Sequence, residues 1–566
     1  MEEGNTSFTS VQYPITCWLF GYFRHNAEMI LFDKEAAEYT LRLYKENYLL
    51  SEVGNLNGSF VLILLDEESK RVSIITDRWG SVPLYWGRKN GQLFVTDDYW
   101  QLVSDINALT FNRVALTQLL QFNYVLGTQT IIEGVEECSP HTIINIDYSQ
   151  ELQVSQKRYW SYQLTESSKL SEAELLESLT HSLNNTIKIY ADAIKKKNWK
   201  AAVPLSGGLD SRFISWGLSK NNVPLIAYSY GTKGYGDLEI ASQTADLLSI
   251  PIKKITWEDE KPFTGKRHDE LVNLGGMTTT YSIGIGALAI KEECQSSCDV
   301  VVPGHSGDFI AGSHVLDYHI HAYNSRMASF SIGQVFKGIS DRGIQRLFPW
   351  SSEHWEKVRN SYLGTLKINN DPSILSLTQR WTVEQRIRRY TLRECYFYRK
   401  FGYQVMLPFW DYELVDTFRT VPRKYLYNRY LYRRLMRENI FTGMDTPLGL
   451  LETPHGPIVS LKERAFSPTL AHMATRLSKA GIYRIKNRIK PSSSSKLSSN
   501  RYQYIWYHSA EFQKYFYRLF RDSPLCQELF DMNALNRLLE QAKPRFIVEP
   551  VYNLATIAHP TFSDFH

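Results

Sequence analysis

The chain has 566 residues, 43% of them hydrophobic and 22% charged, with a formal net charge of +5 at pH 7. That length exceeds what a single core can organise and predicts three or four structural units, while the composition is that of a globular protein. So small a charge over this length does not argue for a nucleic-acid partner, and no run of about 18 apolar residues predicts a membrane span.

The opening residues, Met1-Glu2-Glu3-Gly4-Asn5, carry acid where a secretion signal carries base, and no apolar segment follows, so a cytoplasmic protein is expected. Six scattered cysteines do not form a disulfide framework. Cys294 and Cys298 stand as a lone pair, and a structural zinc needs four ligands.

Residues 1–160 read as a layered, β-rich unit. Val61-Leu62-Ile63-Leu64-Leu65 is a short apolar run and Arg71 to Thr76 alternates, with Asp66 to Lys70 as the turn between them. Gln92 to Thr96 is a further strand behind the turn Lys89-Asn90-Gly91. At residue 171 the period changes. Ser171 and Glu174 form a capping box, and Leu175, Leu179, Leu183 and Ile187 then mark one face of an amphipathic helix. Strand Ala201 to Leu205, a glycine-bearing turn, a helix from about Arg212, strand Leu225 to Ser229, a helix near 237–248 and strand Ile252 to Ile255 follow in alternation. That order predicts a parallel α/β sheet, with a later strand, Val300 to Pro303, leading into Gly304-His305-Ser306-Gly307-Asp308. Beyond about 320 the chain reads as helical. Within it, Arg476 to Lys490 is a basic, solvated helix face, Pro491 to Ser499 a polar loop, and Phe512 to Leu539 an amphipathic helix.

Ser206-Gly207-Gly208-Leu209-Asp210-Ser211 joins the carboxyl end of a strand to a helix start, where open parallel sheets bind ligands. Gly207 and Gly208 let the backbone approach an anion, the free amides and dipole of the helix face it, and the serine hydroxyls add donors. A carboxylate at Asp210 repels phosphate unless a cation lies between them, which implies Mg²⁺. Pro204 is unusual for an inner strand because it removes a ladder donor.

Ser-Gly-Gly-x-Asp-Ser after an apolar strand resembles the pyrophosphate loop of the ATP pyrophosphatases, and the rest of the chain resembles the asparagine synthetase superfamily. Pro303 to Asp308 is similar to the second loop of that superfamily. Leu407-Pro408-Phe409-Trp410-Asp411 is similar to its Pro-Phe-Leu-Asp segment, and Asp77 to Tyr85 to its Asp-Arg-x-Gly-x-x-Pro-Leu-Tyr strand. The resemblance implies ATP and Mg²⁺ as cofactors. Nucleotide contacts would come from Leu205, Ser206, Gly207, Gly208, Asp210, Ser211, Ser229 and Gly304, and metal ligation from Asp210 and Asp308. It also implies an α/β chain of three parts: a degenerate, Ntn-like glutamine amidotransferase domain (1–160), an ATP-pyrophosphatase domain (161–440) and a helical C-terminal extension (441–566).

Three departures shape the expectation. The family takes ammonia from glutamine with an N-terminal cysteine, whereas Cys17 is internal and its backbone nitrogen is an amide that cannot act as a base. Leu56 follows Cys17 by only 39 positions, too few for the family's glutamine-binding segments, so glutamine hydrolysis is expected to be lost. His305 stands where asparagine synthetases have Glu and β-lactam-forming relatives have Tyr. It is a candidate general base near neutral pH, or a residue that only hydrogen-bonds the loop. Glu394 is the candidate to orient it, with an ordinary helix position as the alternative. Finally, no lysine occurs near Thr446 to Leu450, where the family keeps one, and neither Lys424 nor Lys462 fits the spacing.

The expected activity is an ATP-dependent, AMP-forming amide ligase joining a small-molecule or peptide carboxylate to ammonia or an amine, with possible partner proteins of a biosynthetic pathway. The alternatives are a peptide macrolactam (lasso-peptide) synthetase and a non-catalytic ATP-binding scaffold or sensor.

Overall fold

The computed structural model describes residues 7–9, 14–26, 29–108, 110–231, 236–256, 265–275, 278–279, 281–294, 297–315, 352–366, 371, 373–442, 510–523, 526–527 and 531–533. Alternation in the front of the chain folds as strands β1 (Ser7–Thr9), β2 (Ile15–His25), β3 (Leu31–Phe32), β4 (Leu56–Asp66), β5 (Arg71–Thr76), β6 (Tyr85–Lys89), β7 (Gln92–Thr96), β8 (Val135–Glu137), β9 (Thr142–Asp147) and β10 (Gln153–Arg158). Seven of them form one antiparallel sheet in the order β1-β2-β4-β5-β9-β10, with β3 on β2, and β7-β6-β8 form a second. The polar turn expected at Asp66 to Lys70 joins β4 to β5, with Asp66 opposite Arg71. Helix α1 (Asp33–Lys45) buries Ala36, Ala37, Leu41 and Leu43 in the same core as Phe23, Phe60 and Leu62 of the large sheet.

The second half is built on α2 (Glu172–Lys196), whose capping box Ser171–Glu174 is present and whose Leu175, Leu179, Leu183 and Ile187 are all buried. Strands β11 (Ala201–Pro204), β12 (Leu225–Gly231), β13 (Ile252–Thr256), β14 (Val300–Val301) and β15 (Gln404–Val405) make an all-parallel sheet in the order β13-β12-β11-β14-β15. Pro204 is accommodated because β14 pairs with β11 only at Ala201 and Ala202, so the proline lies past that ladder and no donor is lost. The helix expected from about Arg212 begins earlier, as α3 (Leu209–Lys220): Gly208 takes an extended conformation and lets the turn close sooner. Asp210 and Ser211 therefore belong to its first turn. Helix α4 (Gly236–Leu247) follows β12, and α5 (Ile285–Cys294) precedes β14.

All six cysteines are free and buried. Among the described residues no helix is long and apolar enough to cross a membrane. The features read at Thr446–Leu450, Arg476–Lys490 and Pro491–Ser499 lie outside the described residues. The amphipathic helix expected over 512–539 is present as Ala510–Asp522 and ends there, because Ser523 is not helical.

The front sheets and the second half of the chain are tied together by buried charge. Glu137 of β8 receives Arg388 Nη2 at 2.8 Å, Arg389 Nη1 at 3.1 Å and Arg393 Nη2 at 2.6 Å. Residues Val383–Thr391 form a π-helical stretch, and its Leu392 N to Ile387 O bond of 2.8 Å spans five residues. That wider turn brings Arg388, five residues before Arg393, round to the same carboxylate. Burial alone would raise the pKa of Glu137, but the three arginines outweigh it and hold the carboxyl at about 2. Arg24 likewise meets Asp411 at 3.1 Å with both side chains buried. His141 sits at the same boundary with Nδ1 3.1 Å from Arg78 O, and burial, then Arg158, pulls its pKa from 6.5 to about 3.

Both shifts are depressions, so their stabilisation is full at neutral pH and disappears on acidification, through 6.5 to 3 for His141 and through 4.5 to 2 for Glu137. Denaturant unfolding between pH 7 and 4 should show a stability slope that His141→Gln reduces by up to about 1.4 kcal/mol per pH unit. Glu137→Gln, which strands three buried arginines, is expected to cost about 3–5 kcal/mol at pH 7.

Candidate active site

At the carboxyl edge of the parallel sheet a cavity of about 580 Å³ opens between the β11–α3 turn and the β14 loop. Its walls include every residue to which the sequence assigned a nucleotide, metal or base role: Leu205, Ser206, Gly207, Gly208, Asp210, Ser211, Ser229, Gly304, His305, Asp308 and Glu394. Residues nearly 200 positions apart are thus brought to one place.

The turn is held in shape by its own serines. Ser211 Oγ lies 3.1 Å from both Ser206 N and Ser206 Oγ, and Gly208 N donates to Ser206 Oγ at 3.2 Å. From behind, fully buried Arg212 donates through Nη2 to Gly207 O at 2.6 Å, and burial lowers its pKa to about 10. Gly304 is required by contact, since a Cβ there would sit 2.6 Å from Ser211 N of the backbone, while one on Gly207 would press on the Asp237 carboxylate at 2.5 Å. The second loop therefore packs directly on the first turn of α3.

That packing brings the two aspartates together. Asp308, in the short helix α6 (Gly307–Ile310), donates its amide to Asp210 Oδ2 at 2.7 Å, and Tyr432 Oη donates to Asp210 Oδ1 at 2.8 Å. Burial, then the Asp308 carboxylate, pushes the Asp210 carboxyl up to about 7. Two carboxylates crowded in this way fit a divalent cation, which relieves their repulsion. Among the described residues no group of three or more His, Cys, Asp or Glu could hold a metal. A cation on this pair would therefore be completed by phosphate oxygens and water, the usual habit of Mg²⁺.

On the opposite wall, Glu394 comes from helix α7 (Arg393–Lys400). Its Oε2 lies 3.2 Å from His305 Nε2, which is not aligned for a hydrogen bond and is buried without another partner. Such misalignment is common in ligand-free sites. Glu394 Oε1 accepts from Tyr398 Oη at 2.7 Å, which leaves the Tyr228 hydroxyl, 2.8 Å away, to donate to Tyr398. Burial raises both tyrosine pKa values far above 10, so they remain donors.

Three contributors escaped the sequence reading. Arg212 directly follows the loop and was legible only as a charge on a buried helix face. Tyr432, in helix α8 (Tyr430–Leu435), carries no local signal for a contact with Asp210. Arg429, which precedes α8 in a left-handed conformation (φ 57°), is the single lysine or arginine among the described residues lining the cavity, and its charge opposes the rise at Asp210.

Two family matches cover most of this architecture. A glutamine amidotransferase domain matches residues 32–160, and asparagine synthase matches residues 192–480, just over half of the chain. The chain belongs to the asparagine synthase family. Amidase chyE of Penicillium rubens is 24% identical over 294 residues, 48% of this chain and 42% of that protein. Asparagine synthetase [glutamine-hydrolyzing] 1 of Bacillus subtilis is 23% identical over 235 residues, 40% of this chain and 35% of that one. The chain thus spans less than half the length of the curated relatives it matches. Among solved structures, an NH3-dependent NAD synthetase from Campylobacter jejuni is similar at 14% identity and a TM-score of 0.19, over 39% of this chain and 96% of that chain.

Gly304→Ala should weaken magnesium-ATP binding at least about tenfold, roughly 1.4 kcal/mol, because the added methyl meets the Ser211 amide. Gly364→Ala, where nothing lies within 4 Å, should leave the affinity unchanged in the same calorimetric titration.

Proposed function

We propose that this member of the asparagine synthase family activates a carboxylate with ATP, releasing pyrophosphate, and passes the acyl group to ammonia or an amine with release of AMP. The observation that carries this reading is the contact of Asp308 N with Asp210 Oδ2 beside the glycine turn, which sets an anion cradle against a pair of carboxylates suited to a cation.

In the first step the substrate carboxylate attacks the α-phosphate of ATP and the bond to the β-phosphate oxygen breaks. Ser206, Gly207, Gly208 and Ser211, with the start of α3, receive the departing pyrophosphate, while Leu205, Ser229 and Gly304 border the nucleotide. Helix-end stabilisation of an anion is worth at most about 2 kcal/mol, so further positive charge is needed. Mg²⁺ held by Asp210 and Asp308 would supply charge neutralisation to the leaving group. Arg429 adds a guanidinium in the cavity, in the role for which the family keeps a lysine.

In the second step the amine attacks the acyl carbon and must lose a proton. His305 Nε2 is the group that takes it, and Glu394 at 3.2 Å stabilises the imidazolium that results. The Tyr398 and Tyr228 hydroxyls fix the Glu394 carboxylate from behind. Cys17 has no part in this scheme. It lies inside β2, paired opposite Leu64, and burial pushes its thiol up to about 12, which supports a front domain without glutaminase activity. In this reading residues 1–160, 161–440 and 441–566 are the amidotransferase-like, synthetase and C-terminal parts.

Labelled pyrophosphate should exchange into ATP when the protein is supplied with Mg²⁺ and a panel of candidate acids, and AMP should accumulate when an amine is added. Asp210→Asn should abolish exchange with an unchanged circular dichroism spectrum. His305→Ala should retain exchange and slow amide formation by about 10²–10⁴-fold. Production of ADP in place of AMP would sink the assignment.

A further inference from the structure

Helix α7 is only eight residues long, yet it faces two ways. Four of its residues reach the front sheets. Arg393 binds Glu137 Oε2 at 2.6 Å and Tyr85 Oη at 2.8 Å, and Tyr396 Oη donates to Asp97 O at 3.2 Å. Arg399 donates to Ser81 O at 3.0 Å and to Ser59 Oγ at 2.7 Å, and Lys400 meets Asp97 at 3.1 Å. The other face carries Glu394 into the cavity, with buried Tyr398 hydrogen-bonded to it.

The anchors are themselves immobilised. Ser59 Oγ lies 2.5 Å from Ser81 Oγ, and Ser81 Oγ donates to Asp77 Oδ2 at 2.6 Å. Buried Asp77 also accepts from Phe60 N at 2.9 Å and Trp79 N at 2.6 Å. On the cavity side there is no slack either, because a Cβ on Gly286 of α5 would run into the Glu394 carboxylate and the Tyr230 and Tyr398 hydroxyls. A carboxylate fixed on one side by arginine anchors and stopped on the other by a helix has one position open to it, and a displacement of about 1 Å at a reacting group can cost 10²-fold in rate.

We propose that the front sheet domain acts in the ligase reaction as the mount for Glu394, setting it against His305 through α7, with Arg393 and Arg399 as positioning residues. This rests on the reading of His305 and Glu394 as the proton-accepting pair. It assigns the front domain a part in amide formation that requires no glutamine chemistry.

The test follows the His305 imidazole in the full chain labelled with ¹³C-histidine, its resonance assigned by loss in His305→Asn. Glu394→Gln sets the scale: removing the carboxylate 3.2 Å from the ring should displace the His305 resonance at neutral pH. Arg399→Met should displace it in the same direction by at least about half as much, and Arg399→Lys, which can still reach one acceptor, by less. The other charged groups around the cavity, Asp210, Asp237, Asp308 and Arg429, are unchanged in all these variants. Magnesium pyrophosphate, which meets the cradle on α3, should bind Arg399→Met and wild type alike by calorimetry. Ser59→Ala removes one acceptor of Arg399 without touching the helix, and serves if Arg399→Met does not fold. A wild-type resonance position in both Arg399→Met and Ser59→Ala, with a displacement in Glu394→Gln, overturns the mount and leaves the proposed function standing. No shift in Glu394→Gln overturns both.

Discussion

The hydrogen bond from the Asp308 amide to the Asp210 carboxylate holds the site together. It requires the β14 loop to lie on the first turn of α3, which in turn requires Gly304 to have no side chain against Ser211 N. The same contact forces like charge into a buried place, and the raised Asp210 pKa is its consequence. Protein donors at Asp308 N and Tyr432 Oη offset part of that cost. On the proposed function, the remainder is what a cation and a polyphosphate would together relieve, so electrostatic strain in the ligand-free fold and uptake of magnesium-nucleotide would have one origin.

A second polar system joins the front sheets to the helices of the second half, and its logic is the reverse. Glu137 among Arg388, Arg389 and Arg393 is a buried carboxylate with an excess of partners, and its pKa falls where that of Asp210 rises. Removing one member of such a cluster costs far more than its formation contributes, so it specifies geometry more than it adds stability. The π-helical turn before α7 makes the cluster possible by bringing Arg388 and Arg393 to one carboxylate. Because Glu394 is the residue after Arg393, the geometry of the boundary between the sheets is carried straight into the cavity.

Local signals were sufficient where the physics is local. Ser206 to Ser211 could be read as an anion cradle because glycine freedom and a helix start act within six residues. The capping box at Ser171 and the four-residue apolar period after it are likewise short-range, and both are present. Pro204 looked like an obstacle only because the end of the β14 ladder at Ala202 depends on a strand almost a hundred residues away. Arg429 and Tyr432 left no trace in the pattern: one is an arginine in a basic, helical stretch, the other a tyrosine on an apolar face. Their meaning comes from what α8 packs against.

The sequence by itself determined the parallel α/β arrangement, the family and the cluster of small and acidic residues at the cradle, since strand alternation, glycine spacing and carboxylate placement are all written within a few residues. Tertiary structure alone decided that His305 meets Glu394, that Arg429 enters the cavity as its single arginine among the described residues, and that one helix spans from the front sheets to the site. Those pairings are set by packing across the sheet edge and by desolvated charge, which act through space and have no period along the chain.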